Sequence, residues 1–137
     1  MRVLFDTNVI LDLLLDREPF VDTASTLVAL VESGTIVGFL GATTVTTIHY
    51  LATKAVGRVK SQRHVETLLD LFGVAPIDES VLRSALNSGI EDYEDAVLHA
   101  AALSVRVDGI VTRNVRDFKR ATARIYSPEE LLALIPG

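Results

Sequence analysis

The stretch that decides the fold is Val3-Leu4-Phe5-Asp6-Thr7-Asn8-Val9-Ile10-Leu11-Asp12, near the start of the chain. An apolar run with the character of a β-strand stops at Asp6, and a stretch with helical spacing begins soon afterwards. In a parallel α/β sheet, ligand sites form just beyond the carboxyl ends of the strands. An acid at the end of the first strand is therefore placed for chemistry.

Similar short runs, rich in Val, Ile, Leu or Phe, recur along the chain and predict a series of strands. The predicted strands are 2–5, 36–40, 74–77, 108–112 and 124–126, and the predicted helices are 19–33, 43–57, 61–72, 79–87, 92–105 and 128–135. Gly34 is expected to end the first of these helices, Thr43 or Thr44 to cap the second, and Ser127 to cap the last. Strands that alternate with helices imply βαβ units and a mainly parallel sheet.

Length and composition limit what this chain can be. Its 137 residues, 49% of them hydrophobic, suit a single domain over 1–137. It has no cysteine, which excludes disulfides and thiolate metal sites. No apolar run is close to the roughly 20 residues that a membrane helix needs, and the N-terminus lacks the pattern of a signal peptide. We therefore expect a cytoplasmic protein that does not bind a membrane.

The net charge of −5 argues, taken alone, against a nucleic-acid-binding protein, because such domains are usually basic. The basic residues, however, gather in two stretches. The first holds Lys54, Arg58, Lys60 and Arg63, and the second holds Arg106, Arg113, Arg116, Lys119, Arg120 and Arg124. This asymmetry suits an acidic pocket flanked by cationic arms. For any single Lys or Arg, a solvated helix face is the simpler explanation.

A second group of acids opens the predicted helix 92–105. It reads Glu91-Asp92-Tyr93-Glu94-Asp95-Ala96-Val97-Leu98-His99. Asp92, Asp95 and His99 share one face of this helix, whereas Glu94 points away from Asp95. Asp92 is explained equally well as a helix cap or as a metal ligand. Asp95 is expected to be a ligand, because a cap already lies upstream of it.

A third polar group follows the predicted strand 108–112, in the segment Thr112-Arg113-Asn114-Val115-Arg116-Asp117-Phe118. Alone it predicts a turn, but together with Asp6 it predicts the far wall of a pocket. Acids that converge from separate elements repel one another, and a bound cation removes this repulsion. Oxygen ligands favour Mg²⁺ or Mn²⁺ over Zn²⁺. A metal of this kind orients a water, lowers its pKa and stabilises charge in phosphoryl chemistry.

In their order and spacing, the blocks around Asp6, Asp95 and Asp117 resemble the PIN-domain ribonucleases, especially the VapC-like toxins of prokaryotic toxin–antitoxin pairs. The matching parts are Asp6-Thr7-Asn8, Tyr93-Glu94-Asp95-Ala96, Thr112-Arg113-Asn114 and Asp117-Phe118. The resemblance implies a three-layer α/β fold with a central, mostly parallel sheet of four to five strands flanked by helices. It also implies a Mg²⁺- or Mn²⁺-dependent endoribonuclease, a cognate antitoxin as partner, and a homodimer.

Carried over by position, the resemblance implies that Asp6, Asp95 and Asp117 are catalytic metal ligands, with Asp92 as a further candidate. Thr112 and Asn114 would orient the last acid or the phosphate. The candidates for binding the RNA substrate are Asn8, Thr47, Lys54, Arg58, Arg113 and Arg116. The two basic stretches would hold the RNA backbone, so binding is expected to weaken steeply with salt.

One departure from the family pattern falls at Thr47. Family members usually carry an acid early in the helix after the second strand, and here no acid occurs between Glu32 and Glu66. Either Asp92 or Glu94 completes the site, or the threonine holds a metal-bound water, or activity is reduced. The alternative to the nuclease is a PIN-like module that binds RNA or a partner and has reduced or lost catalysis.

Two other α/β families place an acid at the end of the first strand. A phosphatase of the haloacid dehalogenase type needs a second acid two residues further on, where this chain has Asn8. A receiver domain needs an acidic pair, a phospho-acceptor and a late lysine, and Asp78 and Lys119 fit those positions poorly. Both families are therefore weaker explanations than the nuclease.

Overall fold

The structure, a computed structural model, describes residues 1–136 of the chain. Its strands are Arg2–Phe5 (β1), Val37–Gly41 (β2), Gly73–Ala75 (β3), Gly109–Val111 (β4) and Ile125–Tyr126 (β5). They form one sheet in the order β3-β2-β1-β4-β5, and every pair of neighbours is parallel. The predicted parallel sheet is thereby confirmed, and each strand end lies within two residues of its predicted position.

Helices connect the strands. In the described part of the chain they are Thr7–Leu14 (α1), Val21–Glu32 (α2), Ala42–Val56 (α3), Arg58–Leu71 (α4), Glu79–Ala85 (α5), Tyr93–Ser104 (α6) and Pro128–Leu134 (α7). A short 3₁₀ helix, Val115–Phe118, follows β4, where the sequence predicted only a turn. None of the helices within residues 1–136 has the length and apolar character needed to span a lipid bilayer.

The sheet has helices on both of its faces. Val3 and Phe5 of β1 pack among residues of α1, α2, α3, α4 and α7, whereas Leu4 packs among residues of α5 and α6. This alternation follows from the two-residue period of a strand. All three side chains are fully buried. The three-layer arrangement that the family resemblance implied is therefore confirmed.

The start of α3 differs from the prediction. Thr43 or Thr44 was expected to cap this helix, but it begins at Ala42 and Gly41 takes the cap position. A Cβ atom at residue 41 would overlap the side chain of Leu98. Glycine is therefore needed for packing, because the end of β2 lies directly against α6.

Two other predicted helix ends are confirmed. Gly34 follows α2 with a φ of +82°, a conformation that glycine adopts without strain. Ser127 caps α7: its hydroxyl accepts a 3.1 Å hydrogen bond from the Glu130 N–H, and the Glu130 carboxylate accepts a 2.9 Å bond from the Ser127 N–H. These ends depend on neighbours in sequence, which is why the sequence alone predicts them.

The order of the strands opens a crevice between β1 and β4. From β1 the chain moves outward through β2 and β3, and then returns to β4 on the other side of β1. Open α/β sheets bind ligands at such a switch point, outside the carboxyl ends of the strands. Phe5 and Val111 are register partners there. The residues that follow them, Asp6 and Thr112, therefore lie side by side.

A buried ion pair ties α1 to the segment after β4. Asp12 is 1% exposed, and its two carboxylate oxygens accept hydrogen bonds from Arg113, from Nε at 2.7 Å and from Nη2 at 3.1 Å. The guanidinium carbon of Arg113 also lies 4.0 Å from the centre of the Phe20 ring. The guanidinium of Arg113 is thus engaged within the fold, and its binding to RNA stays a prediction.

Removing one partner of this pair is expected to destabilise the fold strongly. Asp12→Asn leaves the Arg113 charge without its carboxylate, and we expect the free energy of unfolding to fall by about 3 kcal/mol. This value is at the lower end for a buried pair, because the Arg113 side chain is 24% exposed. Urea unfolding at pH 7 would measure the loss.

Glu79 and Arg83 offer a matched control, since their contact is 2.6 Å but their side chains are 77% and 76% exposed. A double-mutant cycle with alanine at both positions of each pair gives the two coupling energies. We expect more than about 1 kcal/mol for Asp12 with Arg113, and about 0.5 kcal/mol or less for the exposed pair. Equal coupling energies would contradict a special structural role for Asp12.

Candidate functional site

The crevice beyond β1 and β4 is an acidic cleft of about 230 Å³. Its acids come from three elements, and they are Asp6 after β1, Asp117 on the 3₁₀ helix, and Asp92, Glu94 and Asp95 at the start of α6. The structure thus brings together the three acids predicted as metal ligands, and the further candidate with them. We call this feature the acidic cleft.

Two hydrogen bonds hold Asp6 in this cleft. Its Oδ1 accepts a 2.8 Å bond from the backbone N–H of Thr7, the first residue of α1, and its Oδ2 accepts a 2.7 Å bond from the Thr112 hydroxyl. Asp6 is 5% exposed, and this burial raises the pKa of its carboxyl, although both hydrogen bonds lower it. Asp6 is therefore both the cap of α1 and an oriented acid of the cleft.

Thr112 contacts the first acid of the cleft directly. The sequence predicts that it orients Asp117 or the phosphate, but its hydroxyl donates to Asp6 and accepts a 3.0 Å hydrogen bond from the Asn114 N–H. The Asn114 carbonyl in turn accepts a 3.0 Å bond from the Asp117 N–H. Thr112 therefore orients the first acid, and the Asn114 backbone positions the last.

The first turn of α6 supplies the remaining acids. Asp92 caps the helix, since its side chain accepts a 3.0 Å hydrogen bond from the Asp95 N–H, and it lines the cleft as well. Glu94 also lines the cleft, although helical spacing predicts that it points away from Asp95. Because the cleft wraps around the end of the helix, neighbouring positions both reach it.

Asp95 shows how much negative charge the cleft gathers. Burial, together with the charges of Asp6, Asp92, Asp117 and Glu94, raises its pKa from 3.8 to about 7, and burial is the largest cause. A carboxyl with this pKa keeps a proton near neutral pH when nothing else neutralises the site. Strongly shifted groups of this kind are concentrated at functional sites.

His99 shares a helix face with Asp95, but its ring belongs to the core. It is 4% exposed, and its Nε2 accepts hydrogen bonds from the N–H groups of Thr122, at 3.1 Å, and Ala123, at 3.3 Å. Burial lowers the pKa of this imidazole. His99 therefore stabilises the segment before β5, and it does not line the acidic cleft.

A second cleft, of about 260 Å³, adjoins the acidic cleft and shares Asp92 and Asp117 with it. Its basic residues are Arg116, Lys119 and Arg120. We call it the Arg116 cleft. Arg116, which the sequence predicts to bind RNA, thus lies directly beside the acids.

The other residues predicted to bind RNA lie in two places. Asn8 and Thr47 line the acidic cleft. Lys54 and Arg58 do not: the Lys54 ammonium lies 4.3 Å from the centre of the Tyr50 ring, and Arg58 is the first residue of α4. The structure therefore brings only part of the predicted substrate-binding set to the acids.

Two threonine hydroxyls join the helices on either side of the cleft. Thr7 on α1 and Thr44 on α3 share a hydrogen bond of 2.9 Å, and Thr44 is 1% exposed. This contact holds α3 against α1, and so it places Thr47, about one turn further along, at the cleft. No sequence pattern singles out Thr44, because four threonines fall within residues 43–47.

The cleft fits a hard divalent metal by its chemistry. Within residues 1–136, no three His, Asp or Glu side chains already form a group that could hold an ion. Mg²⁺ does not require such a cage, since it usually keeps several waters and binds one or two carboxylates. The acids Asp6, Asp95 and Asp117 supply oxygen ligands only, and the raised pKa of Asp95 marks charge that a cation would neutralise.

A family model described as the PIN domain matches residues 2–116. The chain belongs to the PIN-domain family. The matched range includes Asp6 and Asp95 and ends one residue before Asp117. A search of curated proteins found no match. The resemblance drawn from the sequence is thereby confirmed at the level of the family.

Solved structures with this fold include toxin–antitoxin complexes. The chain is similar to VapBC2 from Rickettsia felis bound to promoter DNA, with a TM-score of 0.71, 14% identity, and coverage of 93% of this chain and 98% of that chain. It is also similar to a toxin–antitoxin complex from Klebsiella pneumoniae, with a TM-score of 0.70 and 23% identity. That match covers 92% of this chain and 97% of that chain. DNA-bound VapBC from Salmonella typhimurium is similar with a TM-score of 0.70 and 19% identity, and the match covers 93% of this chain and 98% of that chain. At these identities the likeness shows a shared fold.

Because the pKa of Asp95 is raised, the free energy of unfolding of the metal-free protein is expected to depend on pH. The folded protein keeps this proton up to about pH 7, whereas the unfolded chain releases it near 3.8, so stability is lost as the pH rises towards 7. We expect Asp95→Asn to raise the melting temperature in EDTA, and by a few degrees more at pH 8 than at pH 5. Thermal unfolding at both pH values would measure this.

Comparison with the wild type removes the contribution of His99, whose pKa burial lowers, because His99 is present in both proteins. Asp70→Asn, which removes an exposed acid of α4, is the matched control and should show no such pH dependence. A difference between Asp95→Asn and wild type that stays constant from pH 5 to pH 8 would show that Asp95 titrates as an ordinary carboxyl.

Proposed function

We propose that this PIN-domain protein is a Mg²⁺- or Mn²⁺-dependent endoribonuclease, the toxin of a toxin–antitoxin pair, which hydrolyses RNA phosphodiester bonds. One observation carries the proposal: Asp6, Asp95 and Asp117, from three separate elements, line one cleft at the switch point of the sheet. Their repulsion, which contributes to the raised pKa of Asp95, is what a divalent cation would relieve. Membership of the PIN-domain family supports the same chemistry.

In the proposed mechanism Asp6, Asp95 and Asp117 would hold the metal. When bound, a metal of this kind polarises the attacking water and neutralises charge that develops on the phosphate oxygens. The Thr7 N–H and the Thr112 hydroxyl keep the Asp6 carboxylate in a single orientation. Pre-orientation of this kind is what a ligand needs, because supporting hydrogen bonds usually tune metal sites.

The Arg116 cleft is the proposed site for the RNA backbone next to the bond that is cut. Contacts from Lys and Arg to phosphate supply most of the non-specific affinity for nucleic acids. The salt bridges within residues 1–136 involve the arginines 17, 83 and 113. Arg116, Lys119 and Arg120 therefore have no acidic partner in this part of the chain, and their charge is available to phosphate. Asn8 and Asn114, in the acidic cleft, can donate to its oxygens.

We further propose an antitoxin and a second copy of this chain as protein partners. The similar structure from Klebsiella pneumoniae is a toxin–antitoxin complex. In this chain α3 and α4 expose apolar side chains, among them Tyr50 at 59%, Val59 at 63% and Leu69 at 47%. Exposed apolar surface is typical of protein contacts, so this pair of helices is the proposed contact region.

Asp6→Asn tests the nuclease directly. The change keeps the shape of the side chain and the helix cap, because Asn caps helices as well as Asp. We expect Mn²⁺-dependent cleavage of structured RNA to fall by at least about 100-fold, since even the loss of a residue that supports a metal ligand costs 10- to 100-fold. Initial rates with a labelled RNA, for both proteins purified in parallel, would measure the loss.

Asp70→Asn, on the exposed side of α4, is the control and should cleave at the wild-type rate. Equal cleavage by the wild type and Asp6→Asn would contradict the assignment of Asp6 as a catalytic residue. No cleavage by the wild type with any divalent metal would favour the second candidate function.

That second candidate is a PIN-like module that binds RNA or a partner with reduced or lost catalysis. Thr47 favours it, because the family usually carries an acid there and Mg²⁺ is bound in proteins mainly through carboxylates. Glu94, in the same cleft, is the acid available to compensate. The two functions differ in what an added carboxylate at position 47 would do.

Thr47→Asp is expected to strengthen metal binding, because the new carboxylate enters the cleft that Asp6 and Asp95 line. We expect the Mn²⁺ concentration for half-maximal cleavage to fall by about tenfold, equivalent to about 1.4 kcal/mol of binding. The measurement is RNA cleavage over a Mn²⁺ titration. Thr26→Asp adds the same charge at an exposed position on α2, away from the clefts described above, and is the matched control.

The outcome separates the two functions. If Thr47→Asp creates cleavage that the wild type lacks, the wild type is the binding module and the threonine is the reason. If Thr47→Asp responds to Mn²⁺ no better than Thr26→Asp, position 47 does not reach the metal.

A further inference from the structure

A third cleft, of about 350 Å³, adjoins the acidic cleft on the side of α3 and α5. It shares Thr47 and Glu94 with the acidic cleft, so the two are continuous. We call it the Tyr93 cleft. A ligand whose reacting group lies in the acidic cleft could therefore place its neighbouring group in the Tyr93 cleft.

One wall of the Tyr93 cleft is apolar and held in place. The Tyr93 hydroxyl donates a 2.8 Å hydrogen bond to the Leu82 carbonyl, which ties α6 to α5 and fixes the ring. Tyr93 is 45% exposed and Leu82 is 39% exposed, and Val97 lies between them and the core. A fixed aromatic ring that stays open to solvent is a surface on which a flat ligand can stack.

The opposite wall is polar and belongs to α3. Thr43, Thr46 and Thr47 line it. The Thr46 hydroxyl donates to the Thr43 carbonyl at 3.0 Å, whereas the Oγ1 of Thr43 is buried and has no hydrogen-bond partner within residues 1–136. Thr46 is exposed, and its hydroxyl can still accept a hydrogen bond from a ligand.

Glu94 closes the cleft at the end nearest the acids. Its side chain forms no salt bridge with any Lys or Arg of residues 1–136. A carboxylate is only an acceptor of hydrogen bonds when it is ionised. The cleft thus offers a flat apolar face, hydroxyl groups that both donate and accept, and one acceptor that carries charge.

We propose that the Tyr93 cleft binds one base of the RNA beside the cleaved bond, and that Glu94 selects a base with an amino group, cytosine or adenine over uracil. This rests on the proposed ribonuclease function. Unpaired RNA bases are recognised by stacking on aromatic side chains and by hydrogen bonds to their edges. A carboxylate accepts a hydrogen bond from the amino group of cytosine, whereas uracil presents a carbonyl oxygen at the same place.

The direct test is binding of single-stranded RNA without cleavage. Fluorescein-labelled oligo(rC) and oligo(rU) of equal length share one backbone and differ in every base at C4, an amino group or a carbonyl oxygen, and at N3, an acceptor in cytosine and an N–H donor in uracil. No knowledge of the cut sequence is therefore needed. Fluorescence anisotropy in EDTA at pH 8 measures both affinities. We expect the wild type to bind oligo(rC) about tenfold more tightly than oligo(rU), within the range that one good base contact supplies.

Glu94→Gln is the decisive variant, because an amide can donate to the uracil carbonyl as well as accept from the cytosine amino group. We expect its ratio of the two affinities to fall close to one. Glu66→Gln removes the same charge from an exposed position on α4 and should keep the wild-type ratio. Tyr93→Phe keeps the ring and should also keep the ratio, whereas Tyr93→Ala should weaken both affinities about tenfold through lost stacking.

The possible results separate the base site from the ribonuclease function. Equal binding of oligo(rC) and oligo(rU) by the wild type would overturn the proposal, and so would an unchanged ratio of affinities in Glu94→Gln. Absence of RNA binding would also overturn it and would favour a protein partner for this cleft. A selective protein that cleaves no RNA with Mn²⁺ would keep this base site and overturn the ribonuclease. A nuclease that Asp6→Asn inactivates but that shows no base preference would keep the ribonuclease and overturn the base site.

Discussion

The hydrogen bond from Thr112 to Asp6 is the contact on which the candidate site depends. It spans 2.7 Å between the ends of β1 and β4, where the order of the sheet reverses. The helices that follow these strands pack on opposite faces of the sheet, so a crevice opens between them. A carboxylate buried in such a place is costly unless its oxygens are hydrogen-bonded. Thr112 and the Thr7 N–H meet that need and leave the acid oriented towards the crevice.

The fold treats its buried acids in two ways, and the contrast points to function. Asp12 is neutralised by the paired hydrogen bonds of Arg113. No Lys or Arg within residues 1–136 forms a salt bridge with Asp6 or Asp95, and the pKa of each is raised. The positive end of α6 offsets part of this repulsion, but a helix terminus carries only about half a charge. This contrast with Asp12 supports the proposed cation site, because a cation would offset the repulsion that no arginine offsets here.

Local signals predicted most of the fold, and contacts between distant residues explain what the sequence could not predict. The strands, the end of α2 at Gly34 and the acids that follow strands or open a helix all depend on neighbours in the chain. Arg113 was assigned to RNA because it lies in a basic stretch, and its partner Asp12 is 101 residues away. The cap at Gly41 likewise depends on Leu98 of another layer. Glu94 was named only as an alternative for completing the site, because helical spacing places it away from Asp95, and yet both residues line the acidic cleft.

The threonine at position 47 fits the same electrostatic reasoning. The acidic cleft already holds Asp6, Asp92, Glu94, Asp95 and Asp117, and a further carboxylate would raise the cost of the metal-free fold. Thr47 and Glu94 both stand where the acidic cleft meets the Tyr93 cleft. A carboxylate at this boundary cannot serve a metal and the amino group of a base equally well. With a hydroxyl at Thr47 and a carboxylate at Glu94, the cleft would therefore bind metal less tightly, and Glu94 would remain available to select the base.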